Sequence, residues 1–305
     1  MKVLEEIKIH GKIYKIVDFQ FYNWYRYAGV YVENQYERGV TYKRFSDIKR
    51  GKFKDPLELT TMGVYNGLGH YTSVQKVIDV DGNEVIIQAQ SLYNKMVARA
   101  THSKHISDRN KTNYKYTKLH DRWRSFQHWM EWLVSEASNF RAGYQIDKDI
   151  LSDDNIYGPD TCIYIPPYLN KYLADRNYVG KDRGHATSEK VNPNITIFGT
   201  HVEINPKDYD KYRELTIYLL AKWYVKYNLI PKHVGLVIQH KYKNDKAYNP
   251  VIYYEIEHLV KNGVKYDGKV YKKVVKFENY VKVQRPEHPK LRDIVLPSGS
   301  QNASD

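Results

Sequence analysis

The chain has 305 residues, 42% of them hydrophobic and 27% charged. That is enough apolar material for two or three small domains, and it excludes disorder on the whole-chain scale. Lys and Arg number 48 against 35 Asp and Glu, a formal charge of +13, and Tyr occurs 30 times; a cationic surplus mixed with aromatic rings points to a polyanion, because phosphates attract the charge and bases offer faces to stack on.

A single cysteine, Cys162, excludes an intramolecular disulfide and an all-cysteine zinc cluster, and fits a reducing cytoplasm. The opening MKVLEEIKIHGK lacks the apolar run of a signal peptide, and no stretch of about 20 apolar residues is present to span a membrane.

Residues 1–75 are expected to form a small β-rich module. Predicted strands cover Lys12 to Phe19, Gly29 to Asn34 and Val40 to Ile48, with glycines at the turns between them. Asp81-Gly82, followed by Asn83, lies between two Val/Ile-rich runs and predicts a hairpin. Residues 76–175 are read as helices plus a short strand–strand–helix unit. A helical pattern begins near Gln90, with Leu92, Met96 and Val97 on one face. Residues 102–116 are a polar loop whose Lys104, His105, Arg109, Lys111 and Lys115 suit phosphate contacts or plain solvation.

A single helix is predicted from Asp121 to about Ser138, capped by Asp121. Trp123, Phe126, Trp129, Met130 and Leu133 recur along it at helical spacing, as a core stripe does more often than a base-stacking one. Arg122 and Arg124 lie on its surface and suit a phosphate clamp, and His120 and His128 flank it as candidate bases. In residues 144–175, Gln145 and Ile146 lead into Asp147, Cys162 to Ile165 form a second strand, and Pro166-Pro167 open a helix.

Residues 176–207 read as a linker. In 208–295, the segment 208–227 is a strong helix marked by Tyr212, Leu215, Leu219 and Trp223, and Pro231 starts a shorter one. Strands around Ile252–Ile256 and a hairpin turned at Asp267-Gly268 are expected to follow. The small, polar tail 296–305 is expected to be disordered. The predicted fold class is α+β, ending in a helix and a β hairpin.

A strand that ends in an acid, a second strand and a following helix with an amide suit a ββα-metal nuclease. The acid and the amide hold a divalent ion, and the residue beside the acid takes a proton from water. Asp147, Lys148 and Asn170 occupy those places, and Asp149 is a further candidate ligand. Oxygen donors of this kind suit Mg²⁺ or Mn²⁺.

The segment IDKDILSDDNIYGPDTCIYIPPYLN (146–170) resembles the hallmark stretch of the bacteriophage HNH endonucleases of the homing-endonuclease-like type, many of which carry an AP2 domain. GKIYKIVDF (11–19), IKRGKFKDP (48–56), MGVYNGLGHY (62–71), LYNKMVAR (92–99), DRWRSFQHWMEW (121–132) and LLAKWYVKYNLIPKHV (219–234) resemble other parts of that family, so the likeness covers about two-thirds of the chain. It implies a central HNH-like unit, metal-dependent cleavage of double-stranded DNA inside an infected bacterial cell, Asp147 and Asn170 as metal ligands, and Lys148 where the wider class has histidine.

Three departures stand out. Lysine serves as a base only when burial or a neighbouring cation lowers its pKa strongly. The family's arginine-cysteine-tyrosine element is Arg99-Ala100-Thr101 here, and its later cysteine is His120, which does not support a zinc site. RGH (183–185) matches the start of the AP2 region, but the room before Asp208 is too short for its full sheet and helix. A protein that kept the fold and lost cleavage, binding DNA or a protein such as a host defence enzyme, is therefore the alternative.

Overall fold

The computed structural model describes residues 2–101, 114, 116–174, 194–243 and 247–274. It is a mixed α+β arrangement of seven α-helices and several small sheets among the described residues. Strands β1 (Glu5–Ile9), β2 (Lys12–Tyr22), β3 (Tyr25–Glu33) and β4 (Arg38–Arg44) form an antiparallel sheet in chain order. One face of it supplies Ile9, Ile16, Ala28, Val30 and Val32 to the first of three cores. The expected strand through Ile48 stops at Arg44. Phe45 and Ile48 both point inward, and that three-residue spacing makes a short helix, α1 (Phe45–Lys49).

The predicted hairpin forms from β5 (Gln75–Ile78) and β6 (Glu84–Ile87), with Gly82 at φ 79°. The Asp79 carboxylate accepts the N–H groups of Asp81 and Asn83, which fixes the turn. Helix α2 (Ala89–Ala100) buries Tyr93, Met96 and Val97. The single helix expected from Asp121 to Ser138 is broken: a 3₁₀ turn (Asp121–Arg124), α3 (Phe126–Leu133) and a second 3₁₀ turn (Glu136–Ser138) replace it.

The break falls at Ser125, where the incoming N-terminal segment docks. Tyr65 N–H donates to Arg124 O and Phe126 N–H donates to Tyr65 O, so this backbone is already engaged and cannot run on as helix. Ser125 Oγ caps α3 by accepting from His128 N–H, and His120 Nδ1 caps the first turn by accepting from Arg122 N–H, the role assigned to Asp121 from sequence. Trp123, Phe126, Trp129, Met130, Trp132 and Leu133 all lie in the second core.

Strand β7 (Lys118–Leu119) pairs in parallel with β9 (Ile156–Tyr157). Strand β8 (Gln145–Asp147) pairs antiparallel with β10 (Ile163–Ile165), and α4 (Pro167–Ala174) follows at once, opened by a proline as predicted. The buried Arg141 guanidinium ties Asp81 to the carbonyls of Asn228 and Leu229, joining the hairpin to a distant helix turn.

The segment read as a linker carries a hairpin, β11 (Asn194–Ile197) and β12 (Thr200–Glu203), turning at Phe198-Gly199 with both residues at positive φ. It packs with α4, α5 (Tyr209–Lys226), α6 (Lys232–Lys241) and α7 (Pro250–Val274) around the third core. The strands expected near Ile252–Ile256 and the hairpin at Asp267-Gly268 are replaced by α7, one 25-residue helix. Ile256, Val260 and Val264 are all fully buried at four-residue spacing, and that period outweighs a lone Asp-Gly. The Asp267 carboxylate instead accepts from Tyr224 OH at 2.6 Å. No helix among the described residues is long and apolar enough to cross a membrane.

Candidate functional site

A cleft of about 760 Å³ opens between α2, the end of β8, α4 and the C-terminal end of α6. The chain must leave β8 sharply at Asp147, and the Asp147 side chain makes that turn. Its Oδ1 accepts the N–H groups of Asp149 at 2.9 Å and Ile150 at 3.0 Å, while Ile150 anchors the loop in the third core. Among the described residues no donor meets Asp147 Oδ2, the oxygen left for a ligand. Burial raises the Asp147 pKa, and the nearby Asp149 charge adds to the rise; the two N–H donors and Lys148 oppose it.

Asn170 enters the same cleft from α4. Its Nδ2 donates to Gln145 Oε1 at 2.9 Å. Gln145 lies two residues before Asp147 on β8, so the two side chains share a strand face, about 7 Å apart along the chain. The helix amide and the strand carboxylate are thereby brought to one side of the strand–strand–helix unit. Lys148 is buried, and its ammonium pairs with Asp149 Oδ1 at 2.5 Å. Asp149 keeps 57% of its side chain exposed, so it reaches the cleft mouth.

Lys95 and Arg99, one helical turn apart on α2, and Lys241 at the end of α6 also line the cleft. Four cationic side chains, Lys95, Arg99, Lys148 and Lys241, therefore line the cleft with two carboxylates; Lys148 pairs with Asp149, and Lys241 pairs with Asp153 beyond the lining at 3.1 Å. Sequence reading missed all of these cations but Lys148. The i,i+4 spacing of Lys95 and Arg99, off the apolar stripe of α2, was the available signal; Lys241 gave none, since only the tertiary fold carries it there.

The remaining sequence candidates lie elsewhere. Arg124 pairs with Asp121 at 3.1 Å and donates to Gly63 O, and Arg122 faces Glu131 at 3.5 Å; neither lines the cleft. His120 is a helix cap and His128 sits half-buried on α3, so no histidine is among the described residues of the cleft. Lys104, Arg109, Lys111 and Lys115 lie outside the described residues. Cys162 is buried beside the unit, and burial pushes its thiol up to about 12.

Among the described residues no group of three or more His, Cys, Asp or Glu is placed to enclose a metal ion. The donors present are one carboxylate oxygen, one amide oxygen and the neighbouring Asp149. Such a set fits a hard cation that keeps several waters and shares a phosphate oxygen with its substrate, as Mg²⁺ does, and it does not fit a closed structural site. No family model, curated protein or solved structure matches the chain.

Proposed function

We propose that the chain is a metal-dependent DNA endonuclease of the phage HNH type, cutting the phosphodiester backbone in the cleft beside β8. The observation that carries this reading is that Asp147 and Asn170, from a strand end and the helix after it, line one cleft together with four cationic side chains. Asp147 Oδ2 and Asn170 Oδ1 would hold the ion, and a bound Mg²⁺ or Mn²⁺ would supply charge to stabilise the phosphate as it is attacked. Gln145 orients the Asn170 amide, because its Oε1 holds the nitrogen and so decides which way the oxygen faces. Lys95, Arg99 and Lys241 attract the DNA backbone. Lys148, held by Asp149, acts as a cation near the phosphate, and the water is activated without a histidine.

A second reading is favoured by that last feature. With no histidine among the described cleft residues, the same architecture suits a protein that binds DNA, or a protein partner, without cutting it. Nicking of supercoiled plasmid separates the two. Wild type should nick with Mg²⁺ or Mn²⁺. Asp147→Ala should lose about 100-fold or more, the scale of one preorganised electrostatic contact, and still bind duplex DNA with the steep salt dependence of phosphate contacts. Lys148→His should keep or raise nicking. If wild type and Lys148→His are both inert with both metals on several DNA substrates, the non-cutting reading replaces this one.

A further inference from the structure

Tyr22 pairs with Tyr25 across the β2–β3 turn, which leaves a two-residue loop, Asn23-Trp24, with φ of 47° and 66°. Both residues at positive φ define a type I′ turn, whose second position normally holds glycine because a side chain there crowds the backbone. Here it holds tryptophan, the largest side chain of all, at 102% relative exposure. Among the described residues its ring packs on no other ring and under no cation. Among the described residues the fold gains no contact from Trp24, and its positive φ strains the turn, so the indole is presented for a partner.

The surroundings say what it meets. Phe21 is 76% exposed on one face of the tip, and Tyr25 is exposed on the other. The Arg44 guanidinium lies 3.7 Å above the Tyr25 ring, and that of Arg26 lies 3.6 Å above Phe19. A guanidinium stacked on a ring can turn an N–H edge to a phosphate; Arg44 Nε already donates to Tyr27 OH at 3.4 Å, which leaves its two terminal nitrogens for that contact. Lys43 and Lys49 add exposed charge to the same end of the sheet. Of the acids nearby, Asp18 is occupied by Tyr42 OH, Gln20 Nε2 and Phe19 N–H, and Asp47 is paired with Arg50 at 2.8 Å. An unmatched row of cations around a bare indole complements a polyanion that carries flat rings. A lipid surface needs a broader apolar face than one turn presents.

We propose that the β2–β3 tip is a stacking wedge for DNA, with Trp24 on an unpaired base and Arg26 and Arg44 on the flanking phosphates. It would position bases while the cleft acts on the backbone, and so rests on the proposed DNA activity. Bases expose their faces only where the duplex is open, so the wedge gives preference for a duplex with an internal unpaired bubble over the same duplex fully paired.

The test is equilibrium binding of the full chain to both DNAs by fluorescence anisotropy, with wild type, Trp24→Gly and Trp24→Phe. Stacking on one base corresponds to at least about a 5-fold gain in affinity. Trp24→Gly should lose that much on the bubble and less than about 2-fold on the paired duplex, and Trp24→Phe should keep part of it. Trp24→Gly should melt no lower than wild type, because glycine suits the turn, so a binding loss is not unfolding. If wild type binds DNA and Trp24→Gly binds the bubble equally well, the wedge is overturned and the cleft reading stands. If wild type binds neither DNA, both fail. If Trp24→Gly loses only binding to anionic phosphatidylserine vesicles, the tip belongs to a lipid surface and the wedge is likewise overturned.

Discussion

Tyr93, Tyr144, Tyr157 and Tyr164 lie inside the second core, and burial raises the pKa of each hydroxyl above its ordinary value. Tyr22, Tyr25 and Tyr27 stand at the far end of the N-terminal sheet, outside any core, where Arg44 lies over one ring and donates to the hydroxyl of another. The same residue type packs one region and dresses the other for contact. The surplus of positive charge divides in the same way. Arg141 and Arg124 are spent on internal carbonyls and carboxylates, while Lys95, Arg99, Arg26 and Lys43 face outward or into the cleft. Composition reports only the sum of these uses.

The comparison breaks if aromatics in the two regions cost alike when truncated. Trp129 is fully buried, against Tyr93 on one side and Phe126 on the other. Trp129→Ala should lose about 3–5 kcal/mol in urea unfolding, the range for a large buried ring. Phe21→Ala, at the exposed tip, should stay within about 0.5 kcal/mol of wild type. Equal losses would mean that the tip is part of a core.

A smaller effect sharpens the account of the third core. A Cβ at Gly263 of α7 would overlap the Phe198 ring at the β11–β12 turn. Gly263→Ala should cost about 1–3 kcal/mol by overpacking. In the double variant with Phe198→Ala, the combined loss should be smaller than the sum of the two, because the clash is gone. Simple additivity in the unfolding series would show that α7 does not rest on the hairpin.

The smallest effect concerns Cys162. Its folded-state thiol pKa is raised by burial, so folding favours the protonated form. The stabilisation is complete below the ordinary value near 9.0 and fades as pH rises toward about 12. Cys162→Val should therefore flatten the alkaline fall in stability slightly, and wild-type thiol should resist alkylation at pH 8 until urea is added. Rapid alkylation of the folded protein would contradict the burial.

Much of this was legible in the sequence because it is periodic. The apolar runs Lys12 to Phe19 and Gly29 to Asn34 gave most of β2 and the end of β3, the stripe Tyr212, Leu215, Leu219, Trp223 gave α5, and Asp147, Cys162 to Ile165 and Pro167 outlined the strand–strand–helix unit. What failed was punctuation. Asp267-Gly268 has the composition of a turn, and only the burial of Ile256, Val260 and Val264 against α5 and the β11–β12 hairpin keeps it helical. Ser125 looks helical, yet Tyr65, sixty residues earlier in the chain, has already claimed the neighbouring backbone. That Asp147 and Asn170 line one cleft was legible because they sit on one local unit. Lys241 was not, since helices far apart in sequence bring it to the cleft.

The central claim is that Asp147 and Asn170 share one divalent ion, and Mn²⁺ binding followed by electron paramagnetic resonance tests it without any demand on activity. Wild type should take up one Mn²⁺ per chain, displaced by Mg²⁺. Asp147→Asn should lose that uptake and Asn170→Ala should weaken it. Wild type that leaves all Mn²⁺ free, or Asp147→Asn that binds as wild type does, would contradict the claim.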